Sequence, residues 1–303
     1  MLTWTALGRS TVKPRNDSFE SAGKTVWRQN EDRLRLSRTP DGVLAAISDG
    51  AGGAGLYCGP WAERLLTRLP RVPLAGFKAL NEWLDGFCMG FRSEYAALSQ
   101  ATPVRHAKFV REGSFATLMA GWLSSRQGRA ALRWLAYGDS LMLVFDRGSG
   151  RQPALRQVYP GSLGVLDRAP HLLNWKDIPR ESALFGGEVI LPRHGTVILA
   201  SDGIGQYLLL RALAGMGRGQ ADFPMAAEFA RLASSDGRLG QAIRNHRARP
   251  PGQGLGAELA ALRHSLRSDQ TFAARMGQLH QRGLLANDDC SVILIDVDQD
   301  GDR

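Results

Sequence analysis

Two apolar runs in this chain close on the same three residues. Residues 43–50 read VLAAISDG and residues 197–203 read VILASDG. A run of aliphatic and β-branched residues that stops on Asp-Gly is a strand that hands a carboxylate to a turn. The repetition predicts a fold in which at least two strands end on aspartates, Asp49 and Asp202. Other carboxylates fall in similar places. NEDRLRL puts Glu31 and Asp32 just before a strand, YGDSLML puts Asp139 in a turn between two strands, and NDDCSVILIDV puts Asp288 and Asp289 just before the last strand.

Carboxylates gathered without cationic partners repel one another and need compensation. Oxygen-only ligation from Asp, backbone carbonyl and water is the preference of Mg²⁺ and Mn²⁺, whereas zinc favours His or Cys. The histidines, at 106, 171, 194, 246, 264 and 280, all lie outside the acidic motifs. Glycine after the aspartate has a use of its own, since without a Cβ the Gly50 carbonyl can approach a cation closely in a tight turn.

Around these motifs the pattern is one of strands interrupted by paired helices. Residues 34–36 and 43–47, joined by SRTPDG, predict a hairpin. Apolar residues at helical spacing predict helices over 60–69 and 76–98, and SFATLMAGWL, ALRWLAY and LMLVFDRGSG read as an antiparallel meander. Further strands are expected at 196–200 and 290–297, and helices near 206–215, 225–235 and 256–282, with a break at 247–255. Without regular strand-helix alternation this is an α+β layered architecture. Residues 1–22 fit an early strand or an N-terminal arm equally well.

The net charge of +9 is concentrated, with eleven arginines against five carboxylates in residues 211–282. That segment reads as a docking surface for an acidic partner or phosphoprotein, or more simply as a solvated arginine-rich face. Its aromatic residues are Phe223, Phe229 and Phe272 alone, too few to interleave with bases, so no nucleic-acid partner is expected. Three dispersed cysteines, with no C-x-x-C spacing, argue against a disulfide framework or thiolate zinc. No apolar h-region or membrane-spanning stretch is found, and a cytoplasmic protein is expected.

Taken in order, NEDR, AAISDGAGG, GSFATL, AYGDSLMLV, VILASDGIG and NDDCSVILIDV resemble the motifs of the metal-dependent serine/threonine protein phosphatases, the PPM family. The resemblance covers residues 23–205 and 284–298. It implies a single domain over 1–303, a four-layer α-β-β-α sandwich of two antiparallel sheets flanked by helices, with residues 206–283 as an extended helical insertion. It also implies a centre of two Mg²⁺ or Mn²⁺ ions. Asp49 would bridge both ions, the Gly50 carbonyl would bind one, and Asp202 and Asp288 would complete the second ion's shell. Asp32, with Glu31 beside it, would hold waters there, and Asp139 matches a ligand of a third, weaker ion. The implied activity is hydrolysis of phosphoserine and phosphothreonine in proteins, opposing a serine/threonine kinase, with a catalytically silent phosphoprotein-binding module as the alternative. Three positions depart from the family pattern. Trp27 stands where relatives carry a phosphate-binding arginine, leaving Arg28 and Arg33 as candidates; Ala51 replaces a histidine; and Gln206 replaces a carboxylate of the third site. Residues 161–189 fall where relatives have a mobile flap that influences substrate choice.

Overall fold

Period-two strands and amphipathic helices sort into two units, each with its own five-stranded antiparallel sheet and its own apolar core. The structure, a computed structural model, describes residues 2–15, 18–21, 24–27, 29–39, 41–100, 102–148, 152–216, 223–248 and 254–299, with the backbone alone for 18–21 and 24–27. The expected α+β class, two main antiparallel sheets flanked by helices, is observed.

One unit comprises residues 31–140 and 170–190. Its strands are β4 (Arg33–Thr39), β5 (Gly42–Ser48), β6 (Phe115–Ala116), β7 (Leu118–Arg126), β8 (Arg129–Tyr137), β11 (Leu173–Asn174) and β12 (Leu184–Ile190). The main sheet runs β12-β8-β7-β5-β4, and β11 pairs with β6 apart from it. Helices α1 (Cys58–Arg68), α2 (Gly76–Ser99) and α3 (Pro103–Glu112) belong to the same unit. Alternate residues Leu44 and Ala46 of β5 and Leu118, Ala120 and Trp122 of β7 share a core with Trp61 and Leu65 of α1 and Leu80, Leu84, Phe87 and Phe91 of α2. The intervening Val43, Ala45 and Ile47 are buried too, so β5 is apolar on both faces. That is why its sequence is an uninterrupted apolar run that ends on Asp49.

The other unit comprises residues 1–30, 141–169 and 191–303. It holds β1 (Leu2–Thr11), the small hairpin β2 (Ser18–Ser21) and β3 (Lys24–Trp27), β9 (Leu141–Asp146), β10 (Ala154–Tyr159), β13 (His194–Ala200) and β14 (Cys290–Gln299). The main sheet runs β1-β14-β13-β9-β10. Its helices are α4 (Asp202–Ala214), α5 (Pro224–Leu232), α6 (Arg238–Arg247), α7 (Leu255–Ser265) and α8 (Asp269–Gln281). Of residues 1–22, which fit strand or arm equally well, Leu2–Thr11 form β1, paired with β14 from Leu2↔Gln299 to Thr11↔Cys290, while residues 1, 16, 17 and 22 lie outside the described residues.

Three expectations are corrected. The meander breaks at Gly138-Asp139-Ser140, because β9 pairs with β13 and β10 and not with β8. Asp139 therefore sits in a connection between two sheets, not in a hairpin. The single helix expected over 256–282 is two helices, and the stop is a capping box in which the Ser268 hydroxyl accepts from Thr271 N–H (3.1 Å) to start α8. Helix α6 was not expected, and the helix expected at 225–235 already ends at Leu232. Of the break expected at 247–255, residues 249–253 lie outside the described residues.

Near the start of β13 an ionic network ties the sheet to α7. Arg263 of α7 grips Asp296 with Nε on Oδ2 (2.6 Å) and Nη2 on Oδ1 (2.7 Å), and Thr196 donates its hydroxyl to the same carboxylate. Burial alone would raise the Asp296 carboxyl, but these bonds and the charges of Arg263 and Arg147 hold it below the usual range. A carboxyl depressed in the folded state stabilises above its unfolded pKa of about 3.9, and that contribution is lost as pH falls through the folded value. Asp296→Asn is thus expected to melt earlier than the wild type at pH 6, with the gap closing in strong acid; thermal melts across that range check it.

Candidate metal centre

In the unit of β5, the chain beyond Ser48 is pinned from both sides to one residue, Thr117. The Asp49 N–H donates to Thr117 Oγ1 (3.0 Å), the Thr117 N–H donates to the Asp49 carbonyl (2.8 Å), and the Ser48 hydroxyl donates to the Thr117 carbonyl (2.6 Å). Thr117 Oγ1 also shares a hydrogen bond with Ser140 Oγ (2.8 Å). Gly138, with φ +109°, packs against the Thr117 side chain, where a Cβ would come within 2.7 Å of Cγ2. One buried threonine thus sets both the Asp49 turn and the turn carrying the half-buried Asp139. GSFATL belongs to the motif set, but its spacing does not predict this role, because a hydroxyl bonded to main chain leaves no signature in the sequence. Thr117→Val removes the acceptor for the Asp49 N–H and is expected to cost about 1–3 kcal/mol, read from the urea midpoint.

Gly50 is needed for a different reason, close approach. A Cβ there would lie 2.8 Å from the Glu31 carbonyl oxygen and 2.8 Å from the Cys58 carbonyl carbon, so Gly50 lets the NEDR segment and the start of α1 lie against the loop. The Glu31 carboxylate overlies Gly52, and Asp32 beside it is buried. The Gly50 carbonyl accepts from Gly52 N–H (3.0 Å), which leaves a second lone pair. Burial lifts the Cys58 thiol to about 11, and the thiol donates to the Ala51 carbonyl (3.3 Å). Arg33 donates from Nε to Glu63 Oε2 (2.8 Å) and from Nη1 to the Asp32 carbonyl (2.8 Å). Arg28, the other candidate for phosphate, lies outside the described residues.

In the second unit, Asp202 opens α4, where the helix N-terminus favours negative charge. Its Oδ1 accepts from the Gly203 N–H (2.6 Å). The preceding Ser201 is tied to β14, donating its N–H to the Ser291 carbonyl (3.0 Å) and accepting the Ser291 N–H on its hydroxyl (2.9 Å). A Cβ at Gly203 would lie 3.7 Å from the Asp288 Cβ, so Asp202 and Asp288 occupy neighbouring turns. Asp288 Oδ1 accepts from the Asp289 N–H (2.9 Å), and Asp289 Oδ1 accepts from the Lys13 N–H (2.8 Å). Burial, with the charge of Asp289 added, holds the Asp288 carboxyl above the usual range despite the Asp289 N–H and Lys13. Gln206, one turn into α4, supplies no carboxylate.

Asp49, Gly50, Glu31 and Asp32 thus meet around one loop, and Asp202 and Asp288 around another. In fold, the chain resembles bacterial serine/threonine phosphatases. A bacterial serine phosphatase structure is 14% identical, with 99% of this chain and 100% of that one covered, at a TM-score of 0.49. PppA of Pseudomonas aeruginosa is 18% identical over 96% of both chains at 0.46. The catalytic domain of the serine/threonine phosphatase PstP, in complex with two manganese ions, is 16% identical over 98% of this chain and 100% of that one at 0.45. No protein-family model and no curated protein matches the sequence.

The donors named in both loops are carboxylate and carbonyl oxygens, which fits a hard divalent cation in chemistry. Among the described residues no three His, Cys, Asp or Glu side chains form a ready-made metal-holding group. Each loop by itself offers a partial shell, of the kind that Mg²⁺ completes with water. No helix among the described residues is long and apolar enough to cross a membrane.

The segment expected as a flap, 161–189, is built from short elements. Its 3₁₀ turn at Leu163–Asp167 is capped from α5, where Glu228 accepts from Leu163 N–H (2.8 Å), Gly164 N–H (2.9 Å) and the Ser162 hydroxyl (3.0 Å). Its last residues belong to β12, the edge strand paired with β8.

Proposed function

We propose that this chain is a Mg²⁺- or Mn²⁺-dependent phosphoprotein phosphatase of the PPM type, hydrolysing phosphoserine and phosphothreonine by direct attack of water on phosphorus. The reading is supported by the two acidic strand ends and their surroundings: Asp49-Gly50 locked to Thr117 with Glu31 against the same loop, and Asp202 beside Asp288. Asp49, the Gly50 carbonyl, Asp202 and Asp288 would hold two cations, Glu31 and Asp32 would orient water, and Asp139 would serve a weaker third ion. When bound, such ions supply Lewis acidity, lowering the pKa of water and neutralising charge that grows on the phosphoryl oxygens.

The chain's own groups then have defined tasks. The carboxylates align water with the P–O bond that breaks, and no side chain forms a phosphoenzyme. Ala51 offers no proton, so the departing alkoxide takes its proton from water. Arg33 is the described candidate for the phosphate, since its partly exposed pair with Glu63 is of the kind that costs little to break. The substrate would be a cytoplasmic phosphoprotein marked by a serine/threonine kinase.

A second reading, a silent module that binds phosphoproteins without turnover, is favoured by Trp27, which stands where relatives carry a phosphate-binding arginine. Hydrolysis of a phosphothreonine peptide separates the two. Activity is expected with Mn²⁺ or Mg²⁺, none in EDTA, and a loss of about a hundredfold or more in Asp202→Asn. A folded protein inactive with every divalent metal would favour the silent module.

A further inference from the structure

Helix α4, which begins at Asp202, is apolar and buried on nearly every side, yet two polar side chains leave it toward the helices that follow. Tyr207 donates its hydroxyl to Glu258 Oε2 (2.7 Å), and Arg211 Nε lies 3.6 Å from Glu258 Oε1. Arg275 of α8 donates from Nη2 to the same Oε2 (2.8 Å). Glu258 stands in the first turn of α7 and is 5% exposed; Tyr207 is 1% exposed and Arg211 8%. The Tyr207 ring also lies 5.4 Å from the buried His246 ring of α6. Burial, and then the bond to Glu258, push the Tyr207 phenol well above its ordinary range, so it remains a donor.

Three helices therefore meet at one buried carboxylate. Such a group is tolerated only while its charged and hydrogen-bonded partners stay in place, which leaves α4 little freedom to rotate or slide. Asp202 lies five residues before Tyr207 on the same helix, about 7.5 Å along its axis. The setting of α4 is the setting of Asp202.

We infer that Glu258 is a positioning residue for the Asp202 end of the proposed metal centre, acting through Tyr207 and Arg211 to fix α4 and thereby the affinity for the cation. The inference rests on the metal-centre reading above. It also gives the segment between Asp202 and Asp288 a task that neither a docking surface nor a solvated face includes.

The test is Mn²⁺ binding by the full chain, counted from the paramagnetic resonance of free Mn²⁺, in wild type, Glu258→Gln and Tyr207→Phe, beside thermal melts and phosphopeptide kinetics. Tyr207→Phe keeps both arginine contacts of Glu258 and guards against a variant that fails to fold. Mn²⁺ affinity is expected to fall about tenfold in each variant, with kcat restored by added Mn²⁺ and KM for the peptide unchanged. A purely structural role would lower the melting temperature alone, so folded variants that bind Mn²⁺ as tightly as wild type overturn the inference. Wild type that binds no Mn²⁺ overturns the metal centre itself, and this inference with it.

Discussion

Asp49→Ala is expected to lower turnover of a phosphothreonine peptide about a thousandfold, with the melting temperature nearly unchanged. The two halves of that expectation have separate causes. The hydrogen bonds from residue 49 to Thr117 are made by its N–H and carbonyl, and alanine keeps both. What disappears is a carboxylate on a loop against which the Glu31 carboxylate also lies, and removing one of several like charges does not cost stability. The function asked of Asp49 is electrostatic, so a residue of similar backbone and no charge should fold and fail. Steady-state kinetics with saturating Mn²⁺, alongside a melt, decide it. Retained activity would remove Asp49 from the centre.

Trp61→Ala should act in the opposite sense, through the fold. Trp61 is fully buried, its ring packs on Phe87 and Phe91 with centroids 5.7 and 4.9 Å away, and its Nε1 donates to the Leu173 carbonyl (3.0 Å). A cavity of that size costs about 3–5 kcal/mol, a large part of the stability of a typical domain. The loss should also reach the acidic loop. Leu173 pairs with Ala116, and Ala116 bridges to Gly50. Trp61→Phe keeps most of the packing and should lose about 1 kcal/mol, mostly the hydrogen bond. Urea unfolding of both variants measures the difference, and an alanine variant as stable as the phenylalanine one would mean that the site collapses around the gap.

The parts of this structure that were legible in the sequence are those set by local pattern. Strand β5 announces itself because both its faces are buried, and α1 and α2 because Trp61, Leu65, Leu80, Leu84, Phe87 and Phe91 recur at helical spacing. The acidic turns are legible because Asp-Gly after a strand is punctuation. What failed depends on pairings that a local window does not contain. Strand β9 follows β8 after a short polar turn that looks like a hairpin, yet its partner β13 lies some fifty residues further on. Helix α6 is mostly polar, with Leu239, Ile243 and His246 as its buried stripe, too narrow for a strong period. The capping serine at 268 sits in SLRSDQ without Gly or Pro, so the helix seemed continuous. At the candidate site the carboxylates were readable one by one. Their supports, Thr117 and Glu258, were not, because each acts through main chain or through a partner on another element.

Strand β14 lies between β1 and β13, so the sheet of its unit joins residues near 2 to residues near 299. As a chain leaves the ribosome, β1 is made well before β13, and β14 after both. Until β14 emerges, β1 has no ladder to join and β13 has an open edge. The helices between Asp202 and Asp288 are all synthesised during that wait. Residues 31–140, by contrast, already contain β4, β5, β7 and β8 with α1 to α3 before β9 is made. Assembly of this protein is therefore expected to be staggered, with the Asp49 loop taking shape before β9 is made and the Asp202–Asp288 pair only after β14 closes its sheet.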